Sequence, residues 1–257
     1  MTAAIASGLL LAIDTATSRA VLAIGTSDGT LLAADTWPAG HRHVEELLPR
    51  LEALLAGCGW DRRALAVVAG IVVGTGPGAF TGLRVGLATA KALAVSFGRP
   101  LVAVGSGAAL LAAAGAADPA TDPRHLVLLL PAGSADRYVV TKTGTRLATG
   151  PDLPALPVGA VMVAVDLAGR APDAALARGE AATDRLPGNL LRLGAARQRD
   201  ILGHHARRVI DVAHGQPRGA ELQQGPGKPV RGSLTACQRR IRGTPREVHR
   251  DHDGANR

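Results

Sequence analysis

Asp14, Thr15 and Thr17 stand together at the end of an apolar run over residues 9–14. A carboxylate followed by hydroxyls at a strand terminus can hold a hydrated Mg²⁺ and a phosphate. The plainer alternative is that Asp14 accepts hydrogen bonds from the turn that follows it, and taken alone that alternative weighs more. A second set lies at residues 74–82, Gly-Thr-Gly-Pro-Gly-Ala-Phe-Thr-Gly, between another apolar run and a helical pattern. Glycines there let backbone amides approach a phosphate, and a helix N-terminus carries partial positive charge. The spacing departs from both common nucleotide loops. No lysine follows Gly76 at the Walker A distance, and a dinucleotide fingerprint from Gly74 and Gly76 finds only Ala79 at its third place, with Pro77 stiffening the turn. A tight strand-to-helix turn that permits close packing explains these glycines better.

Other chemistry finds less support. His41 and His43, beside Glu45 and Glu46, are two residues apart, whereas a metal pair on one helix face needs a separation of four. Cys58 and Cys237 are distant and match no metal or redox spacing. No Ser-His-Asp or Cys-His set has a local signature such as G-x-S-x-G. The expectation is a chain with no catalytic residue and no metal, and with a weak, vestigial phosphate site at Asp14 and Thr15.

The elements that would position these groups follow from periodicity. Residues 9–14, 19–25 and 30–36 read as strands, the second and third joined by the hairpin signal Asp28-Gly29. Val44, Leu47, Leu48, Leu51, Leu54 and Leu55 recur at steps of three and four, which predicts a helix with Pro49 in or just after its first turn and a stop at Gly57 and Gly59. Residues 67–73 predict a strand covered on both faces. Residues 81–97 predict a helix capped by Thr81 and poor in side-chain bulk. A strand at 101–104 and an Ala-rich helix begun by Ser106 complete a first lap. A weaker second lap has strands at 126–130, 138–142 and 161–165 and a helix over 186–197. Two Asp-Pro turns near 116–124 suggest a domain boundary.

The chain has 257 residues, 47% of them hydrophobic and only 2% aromatic, so its core must be built from Ala, Leu and Val around close backbone contacts. Its net charge is +8, but residues 199–257 hold twelve of the 29 basic and six of the 21 acidic residues. That stretch therefore carries +6 of the total, so the basicity does not by itself argue for a nucleic-acid-binding lobe. No charged segment precedes a long apolar one at the N-terminus, from which a soluble, cytoplasmic protein without a membrane span is expected.

Residues 12–17 (Ala-Ile-Asp-Thr-Ala-Thr), 43–49 (His-Val-Glu-Glu-Leu-Leu-Pro) and above all 76–86 (Gly-Pro-Gly-Ala-Phe-Thr-Gly-Leu-Arg-Val-Gly), with Ala90-Lys91, resemble the TsaB family. The resemblance covers residues 9 to about 116 strongly, weakens over Asp136-Arg137-Tyr138 and 179–197, and ends near Gln198. It implies an α/β, actin-like ASKHA fold of the ribonuclease H-like type. The lobes would be an N-terminal one over 1–116, a reduced second one over 117–198, and a basic, disordered or aberrant tail over 199–257. It also implies a non-catalytic subunit that binds and activates TsaD, works with the ATPase TsaE, and supports threonylcarbamoyl transfer to adenosine 37 of tRNA. ATP would be used by the complex and no cofactor bound by this chain alone; tRNA would be met through the complex, and a homodimer could form without TsaD. The interface residues it suggests are His43, Leu47, Leu48, Leu51, Phe80, Arg84, Leu87 and Lys91. The competing readings are a stand-alone ASKHA-type nucleotide-binding enzyme or peptidase, and an RNA-binding arm in the tail.

Overall fold

The computed structural model describes residues 8–39, 43–61, 64–65 and 68–212, with His43, Val44 and residues 202–212 described as backbone. Strands β1 (Leu9–Asp14), β2 (Arg19–Thr26), β3 (Leu31–Pro38), β4 (Val68–Gly74) and β5 (Leu101–Val104) form one sheet in the order β3-β2-β1-β4-β5. β1 pairs antiparallel with β2 and parallel with β4. Both of its faces are covered, which is why it reads as an unbroken apolar run. The β2–β3 hairpin turns at Asp28-Gly29 as its sequence demands. Gly29 has φ 94°, which a side chain would resist, and the Asp28 carboxylate accepts from the Thr30 amide at 2.9 Å.

One face of this sheet is covered by α1 (His43–Gly57) and α2 (Phe80–Phe97). Leu47, Leu51 and Leu55 of α1 enter a core with Leu11, Ile13, Leu22, Ile71 and Val73. Arg50 pins α1 to β3, standing 4.6 Å over the Trp37 ring and donating to Asp35 at 3.1 Å. Pro49 lies in the second turn of α1, just after the first, and forgoes the bond to the Glu45 carbonyl. The cap expected of Thr81 is corrected: α2 begins one residue earlier, and Ala79 in the cap position makes no side-chain cap bond.

Beyond α3 (Ser106–Ala117) the strand order repeats. β6 (Leu126–Ala132), β7 (Asp136–Thr141), β8 (Gly144–Ala148) and β9 (Val161–Ala164) run β8-β7-β6-β9, with β6 antiparallel to β7 and parallel to β9. This is the arrangement of β3-β2-β1-β4 over again. The sequence reading missed β8 because four of its five residues are exposed, so it shows no apolar alternation.

Helices α3 and α4 (Asp173–Val212) form the layer between the sheets. Leu10, Ala12, Val72 and Val102 from one sheet meet Leu128, Leu130, Val140 and Val163 from the other around Ala109, Leu110, Leu186 and Leu190. The chain crosses from one half to the other between Ala117 and Leu126, but the two halves share this core.

α4 begins well before the helix predicted over 186–197. Its early turns carry Gly179, which weakens the helical period there. Gly179 is needed there: a Cβ would lie 1.8 Å from the Ala164 carbonyl oxygen. The helix also runs past the change of composition at Gln198, since no proline interrupts the sequence before Pro217. Of the segment read as a tail, residues 199–212 are therefore helical, and residues 213–257 lie outside the described residues. Among the described residues no helix is long and apolar enough to cross a membrane.

Among the described residues, the outer face of the second sheet is covered by irregular chain and by the first turn of α4. Val127, Leu129, Val139 and Ala164 pack with Leu167, Ala175 and the partly buried Leu156 and Met162. The irregular segment after β8 is held by Arg137, whose buried guanidinium donates to the carbonyls of Gly150 (3.0 Å), Pro151 (2.8 Å) and Asp152 (3.1 Å). Asp136 accepts from the Gly150 amide at 3.0 Å.

Candidate functional site: an interlobe cleft and an outward helical face

β1 ends by burying Asp14 and Thr15. Asp14 Oδ1 accepts from the Ala16 amide at 2.8 Å, while Oδ2 meets no partner in full hydrogen-bond geometry although the Ser106 hydroxyl lies beside it. Burial pushes the Asp14 carboxyl above the ordinary carboxylate range, against the opposing pull of Ser106 and the Ala16 amide. Ser106, which begins α3 as expected, accepts the Gly76 amide at 3.0 Å and so joins α3 to the glycine-rich loop. Gly74 leaves room for this cluster, since a Cβ there would stand 2.1 Å from Asp14 Oδ2.

Thr15 turns the other way. Its hydroxyl donates to the Gly82 carbonyl of α2 at 2.7 Å, and a Cβ at Gly86 would lie 2.2 Å from the same oxygen. The buried positions of α2 are Gly82, Gly86, Ala90 and Ala94, so the small residues recognised in the sequence form the face that receives β1. The glycine-rich loop closes over the turn after β1: the Ala79 amide donates to the Ala16 carbonyl at 2.8 Å, and a Cβ at Gly78 would meet that oxygen at 2.0 Å. The glycines permit backbone to lie on backbone, and the Thr15 hydroxyl is committed to a helix carbonyl.

A cleft of about 440 Å³ opens beside this packing, between Ala16, Thr17, Gly78, Ala79 and Phe80 on one side and residues 130–133, Tyr138 and Asp166 on the other. Asp166 reaches across it. Its Oδ2 accepts from the Ser18 amide at 2.6 Å and its Oδ1 from the Ser18 hydroxyl. Sequence reasoning passed over Asp166 and Ser106; the available signal for Asp166 was a carboxylate closing an apolar run, as Asp14 does in the first half. Among the described residues no group of three His, Cys, Asp or Glu converges as a metal site.

The proposed interface residues divide. Leu47 and Leu51 are core residues. Leu48 (48% exposed), Phe80 (73%) and Leu87 (37%) point outward, together with Val95 (74%), which the sequence reading did not include. Arg84 and Lys91 are exposed, and Arg84 lies 5.4 Å over the Phe80 ring. Phe80, Arg84, Leu87, Lys91 and Val95 are spaced by four, three, four and four, which gathers them on one stripe of α2. His43 lies at the start of α1, and its side chain is outside the described residues.

Two sheets with one repeated strand order, joined through a shared helical layer and bordering a cleft, define the actin-like ASKHA class. The model of the TsaD family, tRNA N6-adenosine threonylcarbamoyltransferase, matches residues 38–165. The tRNA N6-adenosine threonylcarbamoyltransferase of Sphingopyxis alaskensis is 32% identical over 158 residues, covering 55% of this chain and 45% of that protein. The tRNA threonylcarbamoyladenosine biosynthesis protein TsaB of Escherichia coli is 34% identical over 96 residues, covering 37% of this chain and 39% of that protein. Among solved structures, YeaZ from Pseudomonas aeruginosa superimposes with a TM-score of 0.54 at 26% identity, over 75% of this chain and 93% of its own. The matches span less than half the length of these curated relatives. The chain is a TsaB-like member of the ASKHA superfamily.

Proposed function

We propose that the chain is a non-catalytic subunit that binds and activates a TsaD-type transferase, supporting threonylcarbamoyl transfer to adenosine 37 of tRNA in the cytoplasm. The single observation that carries this reading is the apolar stripe of α2, Phe80, Leu87 and Val95, exposed with Leu48 of α1. Large apolar side chains grouped on one outer face, with Arg84 and Lys91 among them, have the composition of a protein-binding surface. The likeness to TsaB and to the TsaD family supports a TsaD-type transferase as that partner. In this reading ATP is used by the assembly through a TsaE-type ATPase, tRNA is met through the complex, and a homodimer through the same face forms when TsaD is absent.

Mixing the chain with its cognate TsaD and measuring mass by light scattering tests the proposal. A heterodimer that forms with the natural chain and weakens at least about tenfold with Phe80→Ser, a change of roughly 1.4 kcal/mol, is the expected result. No association, or association indifferent to Phe80, Leu87 and Val95, sinks it. The cleft gives the stand-alone enzyme its one structural argument, and ATP titration of the isolated chain decides between the two readings: tight binding with turnover favours the enzyme.

A further inference from the structure

The donors that the β1–β2 turn presents beside the cleft, one residue past Thr17 of its lining, are already taken. Ser18 offers an amide and a hydroxyl in the same direction, and both end on the Asp166 carboxylate from the other half of the chain. Paired N–H and O–H donors at a tight turn suit a tetrahedral oxyanion as well as a carboxylate. Asp166 is held in an uncommon conformation to reach them: with φ 58° it is the one non-glycine residue of positive φ among those described. Aspartate tolerates that region better than most residues, but it is still a place where backbone strain is retained by surrounding contacts. Among the described residues, Asp166 is the one charged residue lining the cleft, and it also lines the adjoining pocket, where Ser18 stands with Arg19 and Glu180. An approaching phosphate would therefore meet a negative group and find the Ser18 donors satisfied.

We propose that Asp166 is a built-in anion: its carboxylate occupies the oxyanion subsite formed by the Ser18 amide and hydroxyl, and keeps phosphate groups out of the cleft. This rests on the non-catalytic reading above and deepens it by naming the contact that holds the cleft shut to nucleotides. Removing the carboxylate should turn an excluded anion into a bound one.

The test is titration of the full chain with inorganic phosphate, followed by calorimetry and ³¹P line broadening, with adenosine as the phosphate-free control. Asp166→Gly, which suits the positive φ, is expected to bind phosphate at least about tenfold more tightly than the natural chain, the scale of one charge-assisted hydrogen bond. Ser18→Ala in the Asp166→Gly background should remove most of that gain, and adenosine should bind all forms equally weakly. Asp166→Asn keeps the side chain while deleting its charge, and decides the matter if the glycine variant fails to fold. Folded variants that bind phosphate no better than the natural chain overturn the proposal, as does a gain that survives the loss of the Ser18 hydroxyl undiminished. Pairing with TsaD is measured on the same samples by light scattering, so failure of the subunit reading shows there, independently of the phosphate result.

Discussion

The two halves of the molecule repeat one strand order and cover it differently. In the first, the outer face of the sheet lies under α1 and α2, two helices that satisfy their own backbone and can turn a second face outward. In the second, the outer face lies mainly under irregular chain, with only the first turn of α4 beside it, and carbonyls of that chain are gathered by the guanidinium of Arg137. A helix used as a cover frees its far side for another protein, whereas a coil used as a cover consumes polar groups simply to stay in place. The same sheet can therefore carry a docking surface or a braced wall, depending on what is laid over it.

Breaking the brace should have the largest effect. Arg137→Met leaves several carbonyls and a loop without their donor, and is expected to cost about 4 kcal/mol in urea unfolding, with faster proteolytic cleavage near residue 151. Arg137→Lys should restore only part, because an ammonium cannot fan out to the same set of acceptors. If Arg137→Met unfolds like the natural chain, the contrast between the two covers collapses.

The helical cover can be dissected within two adjacent residues. Leu47→Ala, facing the core, should cost about 3 kcal/mol, while Leu48→Ala, facing out, should change stability by less than about 0.5 kcal/mol. Pairing with TsaD should rank them in the opposite order. Gly86→Ala should cost about 1 to 3 kcal/mol by driving a Cβ into the Thr15 hydroxyl, and the double change with Thr15→Ala should recover part of it in a double-mutant cycle.

Asp14 supplies a pH test. Its carboxyl is raised by burial, so the folded state binds that proton more tightly than the unfolded chain. The stabilisation is complete below the ordinary carboxyl value of 3.8 and is lost as pH rises from there through the folded value. Asp14→Asn should therefore gain stability relative to the natural chain at neutral pH and flatten the profile on the acid side. The smallest effect is expected for Arg19→Ala: the Arg19–Asp184 pair spans the halves at 3.7 Å but is solvent-exposed, and should contribute less than about 0.5 kcal/mol, vanishing in high salt.

What could be read in advance follows the same division. The first half was legible because its signals are local: Asp28-Gly29 sets a hairpin, the leucines of α1 keep a helical period, and residues 68–74 form an unbroken apolar run. The second half was less so. β8 is an exposed edge whose residues carry no pattern, and the early turns of α4 were hidden by Gly179, whose reason lies in the approach of the Ala164 carbonyl. At the site, Asp14 and Thr15 could be singled out but not their roles. Whether a hydroxyl faces a ligand or a helix carbonyl depends on what packs above it, and Gly82 is 67 residues away. The bond between Ser18 and Asp166 spans 148 residues and had no local signature.

The seating of Thr15 in α2 has a mechanical consequence. The strand end that borders the cleft and the helix that displays Phe80 and Val95 are bolted together through Gly82 and Gly86, so neither slides without carrying the other. A protein that grips the outside of that helix takes hold of the cleft's rim by the same handle, across roughly one helix diameter of about 10 Å. Force applied on the outer surface is delivered to the rim as displacement of a stiff block, with no hinge in between to absorb it.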